Sequence, residues 1–165
     1  MIQLQHPFGN QYTNQVRVLV LGLGESGAAM VRWCQAQGAN VQVADTRQES
    51  QLSDAAKKYE QVVRASGVKD IHFGKLSNEL LGNVDIIAIS PGISPIQEPV
   101  QSFLNEALDK NISVWSEIEF FAQAIAGLKL EQDYQGKVIA ITGTNGKTTT
   151  TALTGLLCER AGMSV

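Results

Sequence analysis

The stretch that decides the fold is Val16-Arg-Val-Leu-Val-Leu-Gly-Leu-Gly-Glu-Ser-Gly27. An apolar run over residues 16–21 leads directly into the pattern Gly22-x-Gly24-x-x-Gly27. The pattern predicts a strand, a tight turn and a helix whose first N–H groups face an anion. The first glycine would permit the turn, the second the approach of a ligand to the backbone, and the third close packing of helix on strand.

Strand-like and helix-like segments alternate along the rest of the chain. Further strands are predicted over residues 41–44, 71–73, 84–89 and 112–115, and helices over residues 26–37, 53–65, 99–110 and 117–126. Continuously apolar strands that alternate with helices predict an α/β fold, a Rossmann-like, doubly wound parallel sheet with helices on both faces.

The C-terminal part predicts a second domain. Residues 127–136 are polar and irregular, which suggests a linker, and they precede a predicted strand over 138–142, a glycine loop and a helix over 147–161. We therefore predict domains over 1–130 and 131–165, the second being the strand, loop and helix that begin a truncated P-loop ATP-binding domain. One strand and one helix are too little to bury a core.

Composition narrows the class of protein. The 165 residues are 44% hydrophobic and 18% charged, as in soluble globular proteins, and the net charge of -3 gives no basic footprint for nucleic acid. No apolar run approaches the roughly 20 residues of a membrane helix, and residues 1–10 lack the pattern of a signal peptide. We expect a cytoplasmic protein with no membrane partner, in which Cys34 and Cys158 are buried, reduced thiols.

The ligand of the first glycine loop is left open by the loop itself. Asp45 closes the second strand, 18 residues after Gly27, where dinucleotide enzymes place a ribose-binding acid. This spacing alone suggests NAD or FAD. Thr46 and Arg47 follow and could donate to a base or a phosphate. The alternatives are that the glycines serve only a tight turn and that Thr46 and Arg47 form only a solvated strand end.

A second loop, Thr142-Gly-Thr-Asn-Gly-Lys-Thr-Thr149, follows the logic of a phosphate-binding loop. Lys147 would contact the β- and γ-phosphates of ATP, and the Thr148 hydroxyl would ligate Mg²⁺. The first glycine of the general pattern falls on Ile141, so the loop is a shorter variant. A threonine-rich turn that caps a helix is the alternative. The predicted ATP-binding residues are Gly143, Thr144, Asn145, Gly146, Lys147, Thr148 and Thr149.

The second loop resembles the ATP loop of the Mur ligases, and folylpolyglutamate synthetases have a similar one. Further motifs resemble the branch of Mur ligases that adds D-glutamate to UDP-N-acetylmuramoyl-L-alanine, over about residues 16–165. These motifs are Gly22-Leu-Gly-Glu-Ser-Gly27, Asp45-Thr-Arg47, Ser90-Pro-Gly-Ile93 and Ser116-Glu-Ile-Glu-Phe120.

The resemblance implies that the first domain holds the UDP part of the substrate and no NAD. The residues it implies for this contact are Gly24, Glu25, Ser26, Gly27, Asp45, Thr46, Arg47, Ser90, Pro91 and Gly92. The family usually has threonine at the position of Ser26, which keeps the hydroxyl. Glu25 brings a negative charge near the diphosphate, and we expect it to point to solvent.

The resemblance also implies an ATP-dependent ligase of cell-wall peptidoglycan synthesis, and hence a part in cell shape and cell division. ATP would phosphorylate the alanine carboxylate, and the amine of D-glutamate would attack the acyl phosphate. Lys147 and a Mg²⁺ ion on Thr148 would be the catalytic groups in this chain. The family's other metal residues and its amino-acid domain would lie beyond Val165. We therefore expect a monomer when full length, and we expect these residues alone to bind nucleotide weakly at best and to catalyse nothing.

Three alternatives to this interpretation stay open. Another Mur-type ligase would share both loops. An NAD-dependent oxidoreductase would explain the first loop and leave the second unexplained. A nucleotide-binding module without catalysis is the third.

Overall fold

The computed structural model describes residues 4–9, 12 and 14–165. Residues 1–3 and 10, part of the stretch assessed for a signal peptide, lie outside the described residues. The chain divides into two compact units, one up to Tyr134 and one over Gln135–Val165.

The first unit is a parallel sheet with helices on both faces. The strands are β1 (Arg17–Leu21), β2 (Asn40–Asp45), β3 (Ile71–Phe73), β4 (Ile86–Ile89) and β5 (Ser113–Ser116). The helices are α1 (Glu25–Ala36), α2 (Asp54–Ala65), α3 (Val100–Asp109) and α4 (Glu117–Gln132), with short 3₁₀ turns at Glu49–Gln51 and Asn78–Leu81. All strand pairs are parallel and the order is β3-β2-β1-β4-β5, which confirms the predicted Rossmann-like fold.

Strand β1 shows why the apolar run is unbroken. Val18 and Val20 pack in the core on one face of the sheet, and Leu19 and Leu21 pack in the core on the other. Successive strand residues point to opposite faces, so a strand covered on both sides needs an apolar residue at every position.

The N-terminal segment closes one face of the sheet with aromatic rings. Phe8 is buried and meets Trp33 edge to face, with ring centroids 5.4 Å apart. Trp115 and Phe120 pack together at 5.1 Å in the same cluster. Trp115 is buried in this cluster, and the half-buried Trp33 packs against it.

Helix α4 is longer than its sequence pattern suggested. Residues 127–132 were predicted to begin the linker, but the helix continues through Gly127 and ends at Gln132, before Asp133 in a left-handed conformation. Gly127 is buried, and a Cβ atom on it would lie 3.1 Å from the side chain of Leu4. The glycine therefore marks a close approach by a distant segment and does not end the helix.

The second unit contains helix α5 (Lys147–Arg160), close to the predicted bounds, and the glycine loop before it. The predicted strand over 138–142 was wrong. A strand needs a neighbour for its ladder of hydrogen bonds, and within the described part of the chain nothing pairs with these residues. No residue of α5 is buried.

The two cysteines differ in their burial. Cys34 is buried as expected, and burial raises the pKa of its thiol to about 12. Cys158 is only half-buried, contrary to expectation. Among the described residues, no helix has both the length and the apolar character needed to cross a membrane.

Candidate nucleotide-binding site

A cleft of about 470 Å³ opens at the carboxyl ends of the central strands. From β1 the chain first builds the sheet towards β2 and β3, and then returns to add β4 and β5 on the other side. The point between β1 and β4 is the topological switch at which open α/β sheets bind ligands. The cleft is lined by Gly22, Leu23, Gly24, Glu25, Ser26, Asp45, Thr46, Arg47, Ser90, Pro91, Gly92 and Ile93.

Sequence reasoning found most of this lining. Every predicted UDP-contact residue except Gly27 lines the cleft, and Gly22, Leu23 and Ile93 are additions. Leu23 lies between the first two glycines of the motif, and Ile93 directly follows Ser-Pro-Gly. Both stand inside the quoted motifs Gly22-Leu-Gly-Glu-Ser-Gly27 and Ser90-Pro-Gly-Ile93, so including every residue of each motif would have identified them.

One wall is the amino end of α1. Gly24 is its N-cap and supplies no side chain to satisfy the first N–H groups. The first hydrogen bond within the helix runs from Ala28 N to Gly24 O, at 2.9 Å. The amides of residues 25–27 therefore have no carbonyl one turn earlier to which they could donate. These unsatisfied donors and the positive end of the helix dipole favour an anion. Glu25, in the first turn, is exposed and also lines the cleft.

Gly27 allows α1 to begin close against the glycine loop. A Cβ atom at this position would lie 2.0 Å from Gly22 O and 3.1 Å from Ser90 Oγ. Only a glycine lets α1 begin this close to the loop, which is the packing role predicted for the third glycine. Gly27 does not itself line the cleft.

The second wall follows β2 and is organised by a buried carboxylate. Asp45 is 2% exposed. Its Oδ2 accepts from Leu23 N at 2.7 Å and from Arg47 Nη2 at 2.7 Å. Its Oδ1 accepts from Arg47 N at 2.9 Å and from Arg47 Nε at 2.8 Å. Both oxygens are thus engaged within the chain, where a ribose contact had been predicted for this residue.

Arg47 is fixed in turn. Its Nη2 also donates to Leu23 O at 3.0 Å, so the guanidinium bridges the β2 turn and the glycine loop. The side chain remains 41% exposed towards the cleft. Nη1 and the flat face of the guanidinium lie outside these contacts.

The electrostatics of this pair follow from its geometry. Burial by itself would raise the pKa of Asp45, but hydrogen bonds from the Arg47 side chain and the amides of Leu23 and Arg47, with the guanidinium charge, lower that pKa below its usual value. The hydrogen bonds to Asp45 raise the pKa of Arg47. Asp45 therefore stays ionised and Arg47 stays cationic at neutral pH.

The third wall follows β4. Ser90 N donates to Leu21 O at 3.0 Å, which continues the pairing of β4 with β1 beyond the strand. Ser90 Oγ is buried and donates to Gly22 O at 3.4 Å. Ile93 N donates to Ser90 O at 3.0 Å and closes the turn that carries Pro91 and Gly92. The glycine loop and the β4 turn thus support each other.

The loop of the second unit has the features of a phosphate cradle. Gly146 is the N-cap of α5 with φ +76 and no side-chain cap. Lys147 Nζ donates to Gly143 O at 2.7 Å, so the ammonium lies over the loop. Thr148 and Thr149, in the first turn of the helix, are exposed. An uncapped helix start with a lysine over the loop fits a phosphate group.

Comparison with known proteins places these features in a family. Residues 16–116 match the family model described as Mur ligase MurD-like, N-terminal domain. The chain is 51% identical over 150 residues to a UDP-N-acetylmuramoylalanine--D-glutamate ligase of Ralstonia nicotianae, covering 90% of this chain and 28% of that protein. It is 48% identical over 161 residues to the ligase of that name from Paraburkholderia phymatum, covering 96% of this chain and 30% of that protein. The chain therefore spans less than a third of the length of these relatives.

Proposed function

The chain belongs to the Mur ligase family through its MurD-like N-terminal domain, and we propose that its first unit holds the uridine nucleotide of UDP-N-acetylmuramoyl-L-alanine in an ATP-dependent, D-glutamate-adding ligase. The observation that carries this proposal is the cleft at the switch point. An uncapped helix start, a fixed arginine and the β4 turn all face it. The relatives with matching sequence are named as ligases.

Each of the three walls of the cleft would contact a different part of the nucleotide. The amides at the start of α1 would bind the diphosphate, with the Ser26 hydroxyl as a further donor. Thr46 and the guanidinium face of Arg47 would contact the uracil ring, because a planar cation held by Asp45 can stack on a base. Ser90, Pro91 and Gly92 would flank the nucleotide from the β4 side.

The second unit would supply part of the ATP site. The loop over residues 143–149 would bind the triphosphate through its amides, with Lys147 on the β- and γ-phosphates and Thr148 on Mg²⁺. When bound, Mg²⁺ neutralises charge on the phosphates during transfer. Lys147 would move from the carbonyl of Gly143 to a phosphate oxygen, exchanging one hydrogen bond for another.

In the full-length ligase, the substrate carboxylate would attack the γ-phosphorus of ATP, so that an acyl phosphate forms and ADP leaves. The amine of D-glutamate would then attack the acyl carbon and lose a proton, so that the amide forms and inorganic phosphate leaves. This step belongs to the cytoplasmic assembly of peptidoglycan precursors. The remaining catalytic groups would come from the part of the ligase outside this sequence.

Ligand binding by the 165-residue chain tests the nucleotide assignment. We expect UDP and UDP-N-acetylmuramoyl-L-alanine to bind in calorimetry and to raise the melting temperature, and NADH to do neither. Binding of NADH without UDP would overturn the proposal and favour the oxidoreductase alternative.

Two arginine variants test whether UDP binds in the cleft. Arg47→Ala should weaken UDP binding, because it removes the cation that faces the cleft. Arg64→Ala is the matched control, since Arg64 has a similar exposure of 46% and pairs with glutamates outside the cleft. Equal affinities in the two variants would show that UDP binds elsewhere.

A further inference from the structure

The turn that carries Thr46 and Arg47 is held from the neighbouring strand. β2 pairs with β3 in parallel, with Asp45 opposite Phe73. Gly74 directly follows, and its N–H donates to both Asp45 O, at 2.8 Å, and Arg47 O, at 3.0 Å. One amide thus binds the carbonyls of the residues before and after Thr46, which fixes the backbone conformation at Thr46.

A side chain on Gly74 would meet the end of the exposed Gln48 side chain. The φ of Gly74 is +93, and a Cβ atom on it would lie 2.5 Å from Gln48 Nε2. Gln48 is held in turn by a reciprocal capping box with Gln51, in which Gln48 N donates to Gln51 Oε1 at 3.1 Å. The backbone of Gln48 is therefore held in this turn, and the end of its side chain lies beside Gly74.

We propose that Gly74 and Gln48 are positioning residues, which set the orientation of Thr46 and Arg47 towards the base of the bound nucleotide. The inference rests on the proposed function, and it extends the site to residues that do not line the cleft. Gly74 and Gln48 would not contact the ligand, but they would position the residues that do.

The geometry shows why this placement matters. The Asp45 carboxylate binds the Arg47 amide and guanidinium from one side of the turn. The Gly74 amide binds the carbonyls of the same two residues from the other side. Displacement of Gln48 or Gly74 would break the hydrogen bonds that the Gly74 amide makes to these carbonyls. A shift of about 1 Å in the position of a binding group is enough to lose affinity.

The test compares two glycines with similar backbones. Gly67 has φ +97, follows α2, and has no atom within 4 Å of the place where an added Cβ would lie, whereas Gly74 has φ +93 and Gln48 at 2.5 Å. Gly67→Ala and Gly74→Ala carry the same backbone strain. We expect the melting temperature to fall in both variants, and further in Gly74→Ala because of the contact with Gln48, whereas UDP binding should be about tenfold weaker only in Gly74→Ala. Equal UDP affinities in the two variants would overturn the proposal.

A second variant asks whether the clash with Gln48 is the cause. Gln48→Ala removes the atoms nearest the new methyl group. The double variant Gln48→Ala/Gly74→Ala should therefore bind UDP more tightly than Gly74→Ala and close to Gln48→Ala alone. A double variant no better than Gly74→Ala would contradict the role of Gln48.

A ligand-free measurement separates this inference from the proposed function. If the unaltered chain does not bind UDP, the proposed function fails. Hydrogen exchange of the Leu23 and Arg47 amides, both bonded to Asp45, then reports on the turn. Faster exchange in Gly74→Ala than in Gly67→Ala supports the positioning role, and equal exchange in the two variants refutes it.

Discussion

The carboxylate of Asp45 and the guanidinium of Arg47 form a two-pronged ion pair, with Oδ1 2.8 Å from Nε and Oδ2 2.7 Å from Nη2. Two backbone amides complete the shell of the carboxylate. An ionised carboxylate has about four acceptor positions, so the shell is full. Asp45 therefore holds the site together, and Arg47 offers its free face to a ligand.

Replacement of Asp45 should cost stability and affinity together. Asp45→Asn keeps the shape but removes the charge and turns one acceptor into a donor that faces Leu23 N or Arg47. We expect a loss of about 2 kcal/mol in the free energy of unfolding, less than for a fully buried pair because Arg47 is partly exposed. Urea denaturation at neutral pH measures this loss.

The exposed Asp70→Asn serves as the control, and a change within about 0.5 kcal/mol is expected for it. Weaker UDP binding in Asp45→Asn should accompany the loss of stability. Equal unfolding midpoints for the two variants would argue against the supporting role of Asp45.

Stability should fall at acidic pH through Asp45 and Asp85. Hydrogen bonds from Arg17, acting against burial, lower the pKa of Asp85, much as Arg47 and the two amides do for Asp45. Both groups bind a proton less readily in the folded chain than in the unfolded chain. Their contribution is complete above the unfolded pKa of about 4 and is lost as the pH falls through their folded values.

The measurement is the urea midpoint between neutral pH and about pH 3, a range that spans the unfolded aspartate pKa. The double variant Asp45→Asn/Asp85→Asn should start lower and decline less steeply than the unaltered chain. Parallel decline of the two curves would place the acid sensitivity in other carboxylates.

The two glycines at the start of α1 should separate packing from ligand contact. Gly27→Ala places a methyl group 2.0 Å from Gly22 O, so the backbone must shift, and we expect a loss of about 3 kcal/mol. Gly24 has no atom within 4 Å of that position and φ -139, so Gly24→Ala should change stability by no more than about 0.5 kcal/mol.

Gly24→Ala should nevertheless reduce UDP affinity, because its methyl group enters the space where the diphosphate approaches the backbone. Calorimetric titration of the well-folded Gly24→Ala chain checks this directly. Unchanged affinity would mean that the ligand does not approach Gly24 closely.

The lysine of the second loop should affect ATP alone. In a full-length ligase containing this segment, Lys147→Ala should lower ATP turnover by about 100-fold or more, because a charge that stabilises the transferring phosphoryl group is lost. Affinity for the UDP-linked substrate should be retained. The exposed Lys137→Ala is the matched control. Loss of UDP-substrate binding in Lys147→Ala would mean that the roles of the two loops are assigned wrongly.

Local pattern was enough to predict the sheet, because the central strands β1, β2 and β4 are covered on both faces and a glycine marks most turns. It failed where a distant segment decides. From the sequence alone, Gly127 is expected to end the helix. In the structure Leu4, from the N-terminal segment, lies beside this glycine. The apolar residues over 138–142 predict a strand, but a strand exists only with a partner.

The site was predicted in outline for a similar reason. Motif positions identify the residues that reach the cleft, since the ends of parallel strands meet at one edge. They do not reveal which polar groups satisfy each other. Asp45 was expected at a ribose, but its oxygens are filled by Leu23 and Arg47. Gly74 belongs to no motif, and its contacts with the β2 turn depend on the pairing of β3 with β2.

The start of α1 presents main-chain amides where other sites present side chains. An inhibitor that bonds to these amides would be little affected by point mutation, because no codon change deletes a peptide N–H except one to proline. Escape would be confined to an added side chain at Gly24 and to changes in Ser26 and Arg47, whose side chains border the same space. An inhibitor that avoids both and bonds only to the amides would meet the narrowest range of viable escape mutants.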